Sequence, residues 1–339
     1  MMLNNLWTAV QRSLVFVVAI LLVRGAVAEE VQIGGFVIPG SPAATVFYDY
    51  ADKLETESGG KLTPNLLIHG EGGPEEQILT GIRRGRIKVA SLSTLVLASV
   101  VPELGYLGAP FLFDSKDEFD FVVDTVFIDL FQPYLNEKGL TILRWLDLGG
   151  QNIYANRPIL WPKDAVNVRL RTTQDIASRL FLEAVGADVI YLTSPETIPG
   201  LQTGLIDGGL TPTVAYSGTG LIADAPHYMV TEHFYLGGFL VVNTGWLEDL
   251  PDAQRKVVTE SFAASAEVRR IIGGMNNDAL AQAGEQGFTA HFLTPAQRAA
   301  WKDATVGTHP QLIDAIGGRS QEIADALSAG RAAYIAQSE

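Results

Sequence analysis

Apolar and polar positions alternate in short blocks along most of this chain. Val31 to Ile38 (VQIGGFVI) is a bounded apolar run and predicts a strand. Pro42 to Ser58 carries Val46, Phe47, Tyr50 and Leu54 at helical spacing, and Gly59-Gly60 ends that helix. Leu62 to His69 predicts a second strand. After the Gly70 to Gly73 loop, Pro74-Glu75-Glu76 opens a helix with proline and acids in its first turn. It runs to about Arg84, and Arg86 to Leu92 is a third strand. A short helix, an apolar segment from Pro102 to Phe113, a helix over Ser115 to Asn136 and a strand over Thr141 to Leu146 follow.

The alternation resumes after Gly149. Strands are predicted over Asn167–Thr172, Ala187–Leu192, Leu205–Leu210 and Phe239–Asn243. Helices are predicted over Thr173–Val185 and Pro195–Thr203. From Pro251 to about Gly287 no internal proline occurs, and the pattern reads as one long helix with a soft point at Gly273-Gly274. Two further helices fill Pro295 to the end. The pattern is α/β in two blocks with a helical tail. No linker separates the blocks, so the chain is expected to cross between them more than once.

The first 28 residues differ. Arg12 precedes an apolar run of 11 residues, Ser13 to Val23, and Arg24 leads to the small-residue ending Ala26-Val27-Ala28. This is the layout of a secretory signal cleaved near Ala28. The run is too short for a membrane span, which needs about 20 residues. The mature chain is then expected in a bacterial periplasm.

Charge and composition narrow the function. The whole chain has 24 Lys+Arg and 38 Asp+Glu; the leader holds two of the arginines and no acid, so the mature net charge is −16. That argues against nucleic acid or anionic lipid as the main partner. The absence of cysteine excludes disulfides, thiolate metal sites and a cysteine nucleophile. No H-E-x-x-H pair, nucleophile elbow, phosphate loop or EF-hand spacing occurs. His227 and His233 are six apart and could form a metal pair only if the chain bends there, and surface or structural roles fit them better. No cofactor or metal is expected, and the chain is not expected to be an enzyme. Glu75 and Glu76 fit dipole stabilisation of a helix start, and the basic run Arg83 to Lys88 fits a helix end and solvated strand edges.

One constellation asks for more. Pro162 to Thr173 (PKDAVNVRLRTT) places Arg169 and Arg171 on the same face of one strand that leads into a helix. Each could simply pair with a surface acid. Alternatively, one guanidinium faces a cleft, where its planar fork matches a carboxylate and stays charged when desolvated.

These residues carry a family resemblance. Arg86 to Phe113 contains a hydrophobic strand, Pro102-Glu103 and Pro110-Phe111-Leu112-Phe113. With Pro162 to Arg171, Gly186-Ala187, Glu196, the run Leu201-Gln202-Thr203-Gly204-Leu205-Ile206-Asp207-Gly208, Tyr235-Leu236-Gly237, Val241-Val242-Asn243 and Trp246 to Pro251, it resembles the solute-binding proteins of tripartite ATP-independent periplasmic (TRAP) transporters, DctP type. The resemblance implies a two-lobed periplasmic-binding-protein-like α/β fold (type II-like), its lobes joined by hinge strands and a long helix. Lobe one would hold 31–148 and 238–276, and lobe two 149–237 and 277–339. It further implies an extracytoplasmic protein that binds a small organic acid in the cleft and hands it to small and large TRAP membrane subunits.

By register with the family's strand, Arg171 is the carboxylate anchor. Gln151 stands where the family often has a second arginine, and Thr211 where it often has asparagine. Ser93 falls at a cleft-lining position, and Glu75, Gln174 and Ser194 at positions that line the site in sialic-acid-type relatives. Losing the second arginine disfavours a dicarboxylate clamp. Neutral groups at Gln151, Thr211, Ser93 and Ser194 suit a monocarboxylate with hydroxyl or keto groups. The alternatives are a binding protein for another transporter class or a sensor, and a secreted α/β hydrolase or lyase.

Overall fold

A computed structural model describes residues 28–338. The segment read as an export signal therefore lies outside the described residues, Ala28 excepted.

Among the described residues nine strands form one mixed sheet. In chain order they are β1 (Glu29–Gly34), β2 (Leu62–Leu67), β3 (Val89–Ser93), β4 (Leu140–Ala155), β5 (Arg169–Thr172), β6 (Asp188–Tyr191), β7 (Gly208–Pro212), β8 (His227–Asn243) and β9 (Thr289–Phe292). The spatial order is β2-β1-β3-β8-β4-β7-β5-β6, with β9 paired to β8. The α-helices are, in chain order, α1 (Pro42–Glu57), α2 (Glu75–Arg83), α3 (Thr94–Leu97), α4 (Lys116–Val122), α5 (Ile128–Asn136), α6 (Ile176–Ala184), α7 (Ser194–Gln202) and α8 (Thr213–Gly218). After them come α9 (Thr244–Asp249), α10 (Asp252–Glu260), α11 (Ser265–Ala281), α12 (Pro295–Thr305), α13 (Thr308–Ile316) and α14 (Ser320–Ser338).

Two antiparallel strands carry the chain between lobes. The second half of β8 pairs with β3, from Ser93 opposite Gly238 to Val89 opposite Val242. The second half of β4 pairs with β7, from Gln151 opposite Pro212 to Ala155 opposite Gly208. Parallel pairs complete each side, β1 with β2 and β3 in the first lobe, β5 with β6 and β7 in the second. Each half-sheet is covered on both faces, as parallel strands require. In the first lobe one face packs Ile78, Phe119, Phe127, Trp145 and Phe239, and the other packs Val31, Phe47, Tyr50, Leu240 and Val242. In the second, Ile153, Leu170, Phe181, Leu210 and Trp301 lie on one face and Tyr154, Tyr216, Tyr228 and Phe288 on the other. Helix α11 joins the two: Val268 and Ile272 sit in the first lobe's core, and Leu280 packs in the second's.

The two-lobed architecture expected from the sequence is present, with four differences in its parts. The strands expected over Thr141–Leu146 and Phe239–Asn243 are sections of β4 and β8, which run 16 and 17 residues. Register shifts between Asp147 and Gly149 and between Gln151 and Ile153 break the alternation that would have revealed them. The long helix expected from Pro251 is interrupted between Glu260 and Ser265, where Phe262 leaves the helix and packs edge-on against Phe47 and Tyr50. It continues unbroken through Gly273-Gly274. Three helices rather than two follow Pro295, and β9 precedes them. The chain's end also departs from the expected division. Trp301 of α12 lies in the second lobe's core, but Leu312, Ile323 and Leu327 of α13 and α14 join Leu104, Phe113 and Phe119 in the first lobe.

Candidate functional site

Ligands of open parallel sheets sit outside the carboxyl ends of the strands. Both half-sheets turn those ends toward the stretch where β4 and β8 cross between lobes. On the first lobe's side β3 ends at Ser93, opposite Gly238, which in turn faces Leu146 of β4. On the second lobe's side β5 ends just after Arg171, and β7 ends at Thr211 and Pro212, opposite Asn152 and Gln151. Leu146 and Gln151 are five residues apart on β4. At about 3.3 Å per residue the gap is on the order of 16 Å, wide enough for a small organic molecule.

Arg169 and Arg171 have opposite fates. Arg169 is exposed and makes a bidentate pair with Asp207, Nε to Oδ2 at 2.9 Å and Nη2 to Oδ1 at 2.7 Å. Arg171 is 8% exposed. Its Nε donates to the Leu192 carbonyl at 2.9 Å, and its buried Nη2 has no partner. Burial pushes its pKa below the usual arginine value, against the pull of Tyr154, Asp175 and Glu196. A guanidinium held this far from water without a carboxylate in contact is poised for an anion.

The residue beside it was not among the sequence's candidates. Tyr154, Gly209 and Arg171 lie in register across β4, β7 and β5. Because Gly209 has no side chain, the Tyr154 hydroxyl fills its place: a Cβ there would lie 2.5 Å from it. That hydroxyl is buried without a partner, and burial pushes its pKa up to about 12. Tyr154 therefore stays a neutral donor next to Arg171. Thr211 shares this face by alternation and is half-buried. Gln151 falls on the opposite face, 5% exposed, with its buried Oε1 unpartnered.

Across the gap, Glu75 accepts from the Ser93 backbone N–H and from Ser93 Oγ, both at 2.8 Å. Ser93 Oγ also accepts from Val96 N at 3.3 Å and caps α3. Burial raises the Glu75 pKa, and the two Ser93 bonds work against that rise. Among the described residues no cation pairs with Glu75. Gln174 and Ser194 are exposed, Gln174 in the loop after β5 and Ser194 as the first residue of α7. Arg171, Thr211 and Tyr154 thus form one group, Glu75 and Ser93 another, and Gln151 lies at the crossing.

The histidines separate as well. His227 Nδ1 lies 3.1 Å from His291 Nε2 of β9, away from His233. His233 is fully buried, stacked on Phe181 at 4.0 Å, with Nδ1 2.8 Å from Thr231 Oγ1. Burial, with the Arg298 charge, pushes its pKa down from 6.5 to about 3. The folded protein therefore holds His233 neutral while the unfolded chain protonates it below 6.5, so its contribution is present above that pH and lost as pH falls toward 3. Each unit is worth about 1.4 kcal/mol. Between pH 6.5 and 4.5, His233→Gln should lose ~2–3 kcal/mol less stability than the parent, and chemical denaturation at both pH values checks it. Equal losses would show that His233 does not carry this acid sensitivity.

Comparison with known proteins now decides the family. The family model described as "Bacterial extracellular solute-binding protein, family 7" (DctP) matches residues 33–313. The chain belongs to this family. This solute-binding protein is 25% identical over 295 residues to the ectoine-binding periplasmic protein TeaA of Halomonas elongata, covering 85% of this chain and 86% of that one. It is 23% identical over 284 residues to the C4-dicarboxylate-binding periplasmic protein DctP of Rhodobacter capsulatus, covering 83% and 85%. Its fold matches that of a sugar acid binding protein from Advenella mimigardefordensis in complex with galactonate, with a TM-score of 0.82, 24% identity, and coverage of 89% and 99%. The three relatives carry three different ligand descriptions, so fold and family leave the ligand of this binding protein to its own side chains.

Proposed function

We propose that this solute-binding protein captures a small organic acid by its carboxylate in the interlobe cleft, with Arg171 as anchor, and delivers it unchanged to the small and large subunits of a TRAP membrane permease. The observation that carries the reading is the buried, unpaired Nη2 of Arg171 at the carboxyl end of β5. A ligand carboxylate supplies the missing anion, and closure of the lobes strengthens the pair by excluding water. Tyr154 donates to the same carboxylate or to a group next to it. Gln151 and Thr211 hydrogen-bond the ligand from the second lobe and Ser93 and Glu75 from the first, with Gln174 and Ser194 at the rim. Having one anchoring arginine favours a monocarboxylate bearing hydroxyl or keto groups, as galactonate does. Export to the periplasm, with cleavage near Ala28, places the protein where the permease can meet it.

The test is a thermal-shift screen of the mature protein against organic acids. A ligand at 100 times its Kd stabilises the folded state by about 2.7 kcal/mol, a shift of several degrees. Hits confined to acids, recovered unchanged after incubation, are the expected result. Hits among uncharged solutes only, or turnover of a hit, would remove the reading. Uptake of a hit by the reconstituted permease, dependent on this protein, tests delivery.

A further inference from the structure

One carboxylate at the crossing has no partner. Glu232 lies in β8 where Gln151 faces Phe234 and Ile153 faces Met229, so two steps along β4 span five along β8. The excess chain bulges, and Glu232 takes a φ of +42°, in the region that disfavours residues with a Cβ. Its side chain lies over Gly150: a Cβ there would sit 2.8 Å from Glu232 Cγ and 3.3 Å from Oε1. The conformation is held from below. The Glu232 N–H donates to Asn152 Oδ1 at 2.8 Å, and Asn152 Nδ2 donates to the Gly150 carbonyl at 2.8 Å and to Tyr228 Oη at 3.0 Å. Tyr228 Oη in turn lies 3.1 Å from the Thr211 carbonyl. One chain of hydrogen bonds therefore ties Glu232 to the candidate ligand contact Thr211.

The carboxylate itself is half-buried and makes no hydrogen bond or ion pair among the described residues. The two cations that act on it are already engaged. Lys116 is paired with Asp120 and Asp147, and Arg298 donates to the Thr231 carbonyl and lies over the Phe111 ring. A strained backbone, a glycine that clears the space and a dedicated hydrogen-bond network all position a carboxylate that nothing among the described residues uses. Strain of this kind collects at functional sites.

We propose that Glu232 determines specificity: it accepts hydrogen bonds from hydroxyl or ammonium donors on the far end of an acid whose own carboxylate Arg171 holds, and it repels a second carboxylate. This deepens the proposed function and rests on the Arg171 anchor. Glu75, likewise without a cation, presents acceptors from the opposite lobe. A ligand that bridges them needs donors at the end away from its carboxylate, and a dicarboxylate brings a second anion there.

Isothermal titration of the mature protein with galactonate, glucuronate, succinate and malate tests it, using the parent, Glu232→Gln, Glu232→Asn and Arg171→Ala. Asparagine suits the positive φ and guards against a folding defect in the glutamine variant. The parent should bind at least one sugar acid at least tenfold more tightly than either dicarboxylate. Both Glu232 variants should shrink that preference at least tenfold. An unchanged ratio in both variants, a parent that prefers a dicarboxylate, or a parent that binds neither sugar acid overturns the proposal. Loss of all binding in Arg171→Ala with an unchanged ratio in the Glu232 variants leaves the anchor standing and removes only Glu232. Binding that survives Arg171→Ala removes the anchor instead.

Discussion

An Arg171→Ala variant is expected to fold and to lose its acid ligand. Truncating one partner of a desolvated charge pair costs about 2–5 kcal/mol of binding, or roughly 30- to 4,000-fold in Kd. The unliganded protein should not suffer. Arg171 pairs with no acid, its Nη2 has no hydrogen-bond partner, and burial alone already disfavours its charged form. Removing it relieves that cost, so thermal stability without ligand should hold or rise. Arg171→Lys should recover little, because an ammonium cannot keep the Leu192 contact and also present a fork to a carboxylate. Arg169→Ala is the control. Its guanidinium is exposed and spent on Asp207, so affinity should stay near the parent's. Titrating the strongest hit of the acid screen into all four proteins settles the assignment. Parent-like affinity in Arg171→Ala, or an Arg169→Ala loss as large as that of Arg171→Ala, would show that the wrong arginine was chosen.

The contrast between these two arginines marks what a sequence can reveal. Spacing alone puts both on one face of one strand, and only the family's register separates them. The physical reason they differ is Asp207, 38 residues away from Arg169 and brought beside it by the parallel β5–β7 pairing. Such a partner leaves no local trace. Tyr154 was missed for a related reason. Its place depends on Gly209, which opposes it across a strand pair and leaves room for the hydroxyl beside the strand that carries Arg171. The short strands and the capped helices were legible because local chemistry writes them: Pro42 after the capping Ser41, or Asp175 accepting from Ser178 N at the start of α6. The two crossing strands were half-legible because their bulges reset the alternation where the lobes join, and Glu232 sits in one of those bulges. The segment holding the least periodic signal is thus the one nearest the proposed ligand site. Helix α14 failed differently: its pattern predicts a helix, and nothing in it states which lobe the helix covers.

Glycine shows the same limit with opposite signs at two sites. Gly237 belongs to the Tyr-Leu-Gly motif and sits in β8 opposite Asp147. A Cβ there would lie 1.9 Å from Trp145 Cζ2. The indole cannot yield, because it is 1% exposed and wedged among Phe119, Phe127 and Phe239 at ring distances of 5.9, 5.0 and 5.1 Å. Gly237→Ala must move the ring or the strand, and overpacking of this kind costs about 3 kcal/mol or more. In a mature chain of about 310 residues, whose unfolding entropy is roughly 2.1 cal/mol/K per residue, that lowers Tm by roughly 5 °C. Gly273, inside α11, has nothing within 4 Å of its missing Cβ. Gly273→Ala should stabilise the protein by about 0.5–1 kcal/mol, the helix-propensity difference. In the sequence Gly237 is marked only as part of the family motif, and Gly273 reads as the softer point. Thermal melts of the two variants without ligand should move in opposite directions, and a Gly237→Ala midpoint within a degree of the parent would show that the Trp145 packing does not hold the lobe crossing in place.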